Sequence, residues 1–328
     1  MILVCGGAGY IGSHMVHELV RRGEEALVLD NLRSGHRAAV HPKARFVQGD
    51  IRDRAVLDNI FSRHDIEAVI HFAASSLVGE SVVKPLEYFD NNVGGMQSLL
   101  AAMAAHGRDK LVFSSTAAVY GEPERVPILE DDPTRPTNPY GESKLIMEKM
   151  MQWVSQAHGV RFVSLRYFNV AGALPDGSLG EDHRPETHLI PLILQVPLGR
   201  RARIGIFGDD YDTPDGTCIR DYIHVMDLTD AHQRAIDHLR RGGEGGVFNL
   251  GSAQGFSVRE MISAAERVVG RPIPTAPEAR RAGDPARLVA SAAKAAKILG
   301  WQPRYTSIED VISTAWAWHQ SHPDGYAE

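Results

Sequence analysis

Tyr140 and Lys144, with Gly141-Glu142-Ser143 between them, are the residues of this sequence best spaced to do acid–base chemistry. Side chains four apart stack on one face of a helix, so an ammonium can lie near a phenol without being bonded to it. An opposite charge nearby lowers an acid's pKa, and a tyrosine tuned downward in this way works as a general base near neutral pH. Thr137-Asn138-Pro139 supplies the start of such a helix, with proline in its first turn. Ahead of it, Ser114-Ser115-Thr116 closes an apolar run at 110–113, and hydroxyls at a strand end can hydrogen-bond a sugar oxygen.

These residues need a frame to hold them. Residues 2–5 form a short, wholly apolar run, the pattern of a strand buried on both faces of a parallel sheet. Gly6-Gly7-Ala8-Gly9-Tyr10-Ile11-Gly12 follows, and then Ile11, Met15, Leu19 and Val20 recur at helical spacing. A second strand at 26–29 ends in Asp30-Asn31. Strand, glycine turn, helix, strand, acid is the arrangement that binds a dinucleotide. Glycines let the backbone approach a pyrophosphate, whose charge then meets the helix N-terminus. The spacing of Gly6, Gly9 and Gly12 is GxxGxxG rather than GxGxxG. Asp30 can accept from ribose hydroxyls and would repel a 2'-phosphate, which favours NAD over NADP.

The alternation continues, with strands expected at 45–48, 68–72, 110–113 and 161–167. Asp50, beyond the third strand, is open to two readings: a bond to an adenine amino group, or an N-cap for a helix starting near Arg52. Ala73-Ala74-Ser75-Ser76 follows the fourth strand, at the carboxyl ends where open α/β sheets bind ligands. Asn91-Asn92-Val93-Gly94-Gly95 opens or interrupts a helix reaching about 105, and an amide there could hold a catalytic lysine or backbone in place. The expected fold is α/β, a doubly wound parallel sheet of Rossmann type over 1–169. A smaller α/β substrate domain is expected over 170–328, with part of the chain free to return to the first lobe. Residues 170–186 read as a long functional loop or linker. A helix near 189–198, a strand about 203–207 and a loop at 208–217 follow, and the ligand crevice is expected between the lobes.

The formal net charge of −6 argues against nucleic acid or an anionic membrane as the main partner. No apolar run approaches the ~18 residues of a membrane span. The apolar start has no basic leader and ends at Gly6, and the two cysteines, Cys5 and Cys218, suit a reducing cytoplasmic compartment. Glu181, Asp182, His183, Glu186 and His188 lack HExxH order and strict helical spacing, so no metal is expected. Arg200, Arg201, Arg203, Arg220, Arg280, Arg281 and Arg287 fall in the second lobe, where some could clamp a phosphorylated substrate. Gly-x-Ser-x-Gly is absent, which leaves a serine-hydrolase reading little support.

From residue 1 to about 318, these motifs together resemble the extended short-chain dehydrogenase/reductase family, and within it the UDP-glucose 4-epimerase members. Gly49-Asp50-Ile51-Arg52, His71-Phe72-Ala73-Ala74, Arg166-Tyr167-Phe168-Asn169, Asp215-Gly216-Thr217 and Arg220-Asp221-Tyr222-Ile223-His224-Val225 extend the match. The resemblance implies that Tyr140 is the base, Lys144 its ribose-binding partner, and Thr116 a hydrogen-bonding partner for the sugar O4. It implies that Gly6, Gly9, Tyr10, Ile11, Gly12, Asp30, Asn31, Asp50, Ile51, Phe72, Ala73, Ala74, Asn91, Ser114, Tyr140, Lys144 and Tyr167 line an NAD site. Ser76, Asn169, His188, Leu189, Phe207, Arg220, Arg281, Asp284 and Leu288 would hold the UDP-sugar, with interconversion of UDP-galactose and UDP-glucose at C4 as the implied activity. A homodimer through the helices carrying Asn91 and Tyr140 is implied as well.

Three positions depart from the best-known bacterial members of the family. Ser76 replaces lysine, His188 replaces asparagine, and Leu288 replaces a bulky tyrosine beside the sugar, which opens UDP-N-acetylglucosamine as an alternative substrate. A dehydratase of the same fold is disfavoured because Ala117-Ala118 stands where its Asp-Glu pair would follow the threonine. A non-catalytic NAD-binding regulator would have no use for Thr116, Tyr140 and Lys144 together.

Overall fold

The computed structural model describes residues 1–281 and 284–327; the expected end of the second lobe at 328 lies outside them. Six strands appear in chain order as β1 Ile2–Cys5, β2 Ala26–Asp30, β3 Arg45–Gln48, β4 Ala68–His71, β5 Lys110–Ser114 and β6 Arg161–Arg166. A seventh, Gly246–Asn249, comes from far along the chain and pairs with β6 in the same parallel sense. The spatial order is Gly246–Asn249, β6, β5, β4, β1, β2, β3. β1 therefore lies between β2 and β4, with Ile2 opposite both Ala26 and Ala68. The order reverses there, and the crevice at that reversal is where such sheets take their ligands.

β1, β2 and β4 are buried on both faces, as their unbroken apolar runs require. One face packs against helix α1 (Tyr10–Arg21) and the helix Val225–Arg240, through Met15, Val16, Leu228 and Ile236. The other takes α2 (Arg54–Arg63), α3 (Gly95–Ala105) and α4 (Pro139–His158), whose Leu57, Leu99, Met147 and Met151 meet Leu3, Leu27 and Phe113. Two elements beyond residue 170, the helix at Val225–Arg240 and the strand at Gly246–Asn249, are thus layers of the first lobe. The second lobe has its own core around Ile190, Ile204, Ile206, Met261 and Ile312.

Two local features resolve what the sequence left open. The helix after β3 is capped by Asp53, whose carboxylate accepts from the Ala55 and Val56 amides, so Asp50 is not its N-cap. The disturbance at Asn91-Asn92 is one wide turn of π-helix, Phe89–Gly94, running into α3. Such turns often sit at functional sites. Among the described residues, no helix is long and apolar enough to cross a membrane.

Candidate functional site

The glycine turn between β1 and α1 forms one wall of a cleft at the carboxyl ends of the strands. Gly6 has φ +81° and passes so close to the β4 end that a Cβ there would stand 2.6 Å from the Ala73 amide nitrogen. A Cβ on Gly12 would stand 2.0 Å from the Gly6 carbonyl oxygen. Glycine is therefore required at both for steric reasons, and the space this opens lies against the start of α1, which Gly9 caps without a side chain. The cleft is lined by Gly6, Gly9, Asp30, Asn31, Ile51, Phe72, Ala73, Ala74, Ser76 and Asn91 among the expected residues. Arg33, Ser34, Gly35, Tyr88, His183, Arg184 and Pro185 line it too, although the sequence reading gave them no part. The Asp30 carboxylate accepts from the amides of Ala8 at 2.9 Å and Leu32 at 2.8 Å, which fixes it at the cleft edge. Burial pushes its pKa up, against those two bonds. A glycine-floored cradle at a helix N-terminus, with an acid at the neighbouring strand end, fits a dinucleotide.

Asp50, Tyr10, Ile11, Gly12, Ser114 and Tyr167 stand outside that lining. Asp50 accepts from Arg52 at 2.9 and 2.8 Å and from Asn31 at 3.1 Å, and the Arg52 guanidinium holds its carboxyl well below the usual range. Its role is to anchor Asn31 at the cleft mouth. Tyr10 donates from its hydroxyl to the Gly172 carbonyl at 2.6 Å, tying α1 to the loop that leads into the second lobe. The Ser114 and Tyr167 hydroxyls hydrogen-bond each other beneath the cleft.

α4 presents Tyr140, Lys144 and Glu148, spaced four apart, to the ends of β5 and β6. Asn138 caps the helix by accepting from the Gly141 amide at 2.9 Å, with Pro139 in the first turn. Lys144 is buried; its Nζ donates to the Ser114 carbonyl at 2.7 Å and lies 4.7 Å from the Phe113 ring centroid and 6.0 Å from that of Tyr140. Burial lowers the Lys144 pKa to about 7, with the Glu148 charge acting in the opposite direction. The expected downward tuning of the phenol is absent from the protein alone. Burial pushes Tyr140 up to about 12, and only its hydrogen bond with Thr116 acts in the other direction. Thr116 accepts from the Ala118 amide at 3.1 Å, so its own hydrogen is available to Tyr140.

A depressed lysine gives a signed prediction. The buried ammonium destabilises the fold fully below pH ~7, and the penalty fades as pH rises toward the ordinary lysine value near ~10.4. Lys144→Met should therefore stabilise the dinucleotide-stripped protein by about 1–4 kcal/mol at neutral pH or below, with the gain shrinking through pH 8 to 10. Activity should fall by about 100-fold or more. Denaturant melts across that pH range are the check, and a stability gain that grew with pH would refute the assignment.

Two clamps hold this geometry, the first missed in the sequence and the second the backbone-holding amide expected at Asn91-Asn92. The Glu148 carboxylate, buried against the sheet, accepts from Ser115 Oγ at 2.6 Å, Ser164 Oγ at 2.8 Å, and Arg166 at 3.0 and 2.5 Å. It fixes α4 to β5 and β6. The signal was there, since Glu148 continues the same four-residue spacing. Asn92, turned inward by the π-helical turn, accepts from the Ser75 amide and donates to the Ser75 carbonyl and Ser143 Oγ, joining the β4 end to α4.

Across the crevice, Arg220 pairs with Asp284, and the Arg281 guanidinium stacks 4.0 Å over the Phe207 ring. The strand Arg287–Leu288 runs beside Ile219–Arg220 with Leu288 opposite Arg220, so these five expected residues gather on one side. Asn169 Nδ2 donates to the Asp221 carbonyl at 3.1 Å. His188 and Leu189 start the helix Leu189–Gln195, and the His188 Nδ1 is held by Glu181 at 2.5 Å. Burial works against the charged form of His188, but the adjacent Glu181 and Glu186 carboxylates outweigh it and raise the imidazole to about 10. His188 is thus drawn into the Glu181–His188 loop.

Residues 2–251 match the family model described as the NAD dependent epimerase/dehydratase family. A UDP-glucose 4-epimerase of Lacticaseibacillus casei is 58% identical over 327 residues, covering 100% of this chain and 99% of that protein. The crystal structure of a UDP-glucose 4-epimerase superposes with a TM-score of 0.98 at 56% identity, covering 100% of this chain and 99% of the other. That of the Bifidobacterium longum UDP-glucose 4-epimerase in complex with NAD+ and UDP superposes with a TM-score of 0.93 at 42% identity, covering 99% of each chain.

Proposed function

Since the chain belongs to the NAD dependent epimerase/dehydratase family, we propose that it is a UDP-glucose 4-epimerase, interconverting UDP-galactose and UDP-glucose at C4. The observation that carries this reading is the convergence of Tyr140, Thr116 and Lys144 at the carboxyl ends of β5 and β6, beside a glycine-floored dinucleotide cradle. Bound NAD would supply reversible hydride exchange at C4, with return to the opposite face of the sugar. Tyr140 Oη takes the O4 proton as the 4-keto sugar forms and gives it back as the alcohol is restored. Thr116 hydrogen-bonds Tyr140 and the O4 it serves. Lys144, fixed by the Ser114 carbonyl, holds a ribose hydroxyl and places positive charge near the phenol. Because burial holds the phenol up, the base form depends on that charge and on the cationic nicotinamide ring.

Arg220, Arg281, Asp284, Phe207, Leu288, Asn169, Leu189, His188 and Ser76 make up the proposed UDP-sugar side. The full-length relatives carry UDP-glucose 4-epimerase names, so the acetylated alternative is not favoured. We assign a homodimer through the helices flanking Asn91 and Tyr140, where Val82, Val83, Leu86 and Trp153 are 62–80% exposed, an apolar patch suited to a partner. The buried free thiols of Cys5 and Cys218 suit the cytoplasm.

Purified protein given UDP-galactose without added NAD should convert it to UDP-glucose, because the cofactor is regenerated in each cycle. No conversion even with NAD supplied would sink the epimerase reading, and a monomer in sedimentation at assay concentration would remove the dimer.

A further inference from the structure

We propose that Glu181, His183, Glu186 and His188 form a binding site for a divalent cation of the zinc class, beside the dinucleotide cleft and sharing His188 with the proposed UDP-sugar side. One donor atom from each of the four residues lies within 4.8 Å of every other. His183 Nδ1 and His188 Nδ1 stand 2.9 and 2.5 Å from Glu181 Oε1, and 3.9 and 3.5 Å from the two Glu186 oxygens. Zinc bonds of ~2.0–2.2 Å to nitrogen and oxygen place neighbouring ligands of a tetrahedron about 3.3–3.5 Å apart. The pairs bracket that spacing, and the widest separation, within 4.8 Å, closes to it by about 1.5 Å at most. Two imidazoles with two carboxylates is a donor set suited to zinc.

Charge points the same way. The Glu181 and Glu186 side chains are only 4% and 10% exposed. Each carboxylate is paired with an imidazole, and a bound dication would take the place of the protons those imidazoles hold. The outer contacts are built as well. Glu186 Oε1 accepts from the Thr187 and His188 amides at 2.6 and 2.7 Å, which turns its Oε2 toward His183. The Glu181 carbonyl accepts from Trp318 Nε1 at 3.1 Å. Such contacts orient first ligands. A cavity of about 430 Å³ lined by Glu181, His183, Glu186, His319 and His322 gives the ion an entry path.

The site would act as a clasp. Its loop lines the dinucleotide cleft through His183, Arg184 and Pro185 and leads directly into the helix Leu189–Gln195 of the second lobe. Backbone in this loop is irregular, which is why spacing rules written for helices do not register the cluster.

The test uses untagged full-length protein, stripped with chelator and titrated calorimetrically with Zn²⁺. One equivalent per chain is expected, with tetrahedral visible bands when Co²⁺ replaces it. His183→Ala and Glu181→Gln should each weaken Zn²⁺ binding at least about 100-fold, the upper end of what an outer contact alone costs. Wild-type protein that takes up no stoichiometric Zn²⁺, or two folded variants that bind it as tightly as wild type, would leave the cluster a set of carboxylate–imidazole ion pairs and overturn the proposal. Zn²⁺ uptake is read without substrate, so its failure is separable from failure of the epimerase reading.

Discussion

Tyr140→Phe should lower kcat for UDP-galactose epimerisation by about 100- to 10,000-fold, the span covered by positioned proton transfer, while the protein keeps its bound NAD. The substitution removes one oxygen and leaves the ring, so packing of α4 is unchanged. The single hydrogen bond lost, to Thr116, is worth about 1 kcal/mol in stability, too little to unfold the domain. A selective loss of kcat with KM nearly unchanged would place the interaction in the transition state. On the proposed site the glycine turn, the strand ends and Lys144 hold the dinucleotide, so the purified variant should retain its absorbance. Normal turnover in the variant would remove Tyr140 as the base, and loss of NAD would recast the residue as a cofactor ligand.

Arg166→Met should destabilise the protein by about 3–5 kcal/mol, the cost of leaving one member of a buried ion pair uncompensated. Arg166 and Glu148 side chains are 6% and 1% exposed, and the guanidinium meets both carboxylate oxygens. Without it, Glu148 keeps only the Ser115 and Ser164 hydroxyls for a full negative charge. Glu148 lies one turn beyond Lys144, so kcat should fall as well as stability. The double variant Arg166→Met with Glu148→Leu removes both charges and should regain much of the lost stability, a coupling that denaturant unfolding of the four proteins would read as a double-mutant cycle. A cost below about 1 kcal/mol in the single variant would show that water reaches this pair.

The elements carrying continuous apolar runs were legible from residue types alone. β1, β3 and the start of α4 at Pro139 stand where periodicity and turn chemistry put them, and β2, β4, β5 and β6 differ only by a residue at an end. The sequence reading assigned no strand at Gly246–Asn249, because four residues after a helix carry too little pattern to announce a partner in β6. The N-cap of α2 was left open in the sequence, where Asp50 had two readings and Asp53 was not considered. Both Asp50 and Asp53 precede the helix, and only the bonds of Asp50 to Arg52 and Asn31 decide which is free to cap it. The chemistry of Tyr140 was legible as a residue pair, but its electrostatics were not. A four-residue spacing gives proximity, whereas the balance between burial and charge depends on what covers the pair in three dimensions.

The late arrival of Gly246–Asn249 also bears on how the molecule is made. A ribosome delivers β6 long before the strand that pairs with it, so the nascent sheet carries an open parallel edge until residue 249 has emerged. Open edges recruit other chains, and in this protein the exposed rim is the one that ends beside Arg166 and the catalytic helix. The sheet is closed at residue 249, before Met261 and Ile312 of the second core have been made, so the two cores are interleaved rather than successive in synthesis.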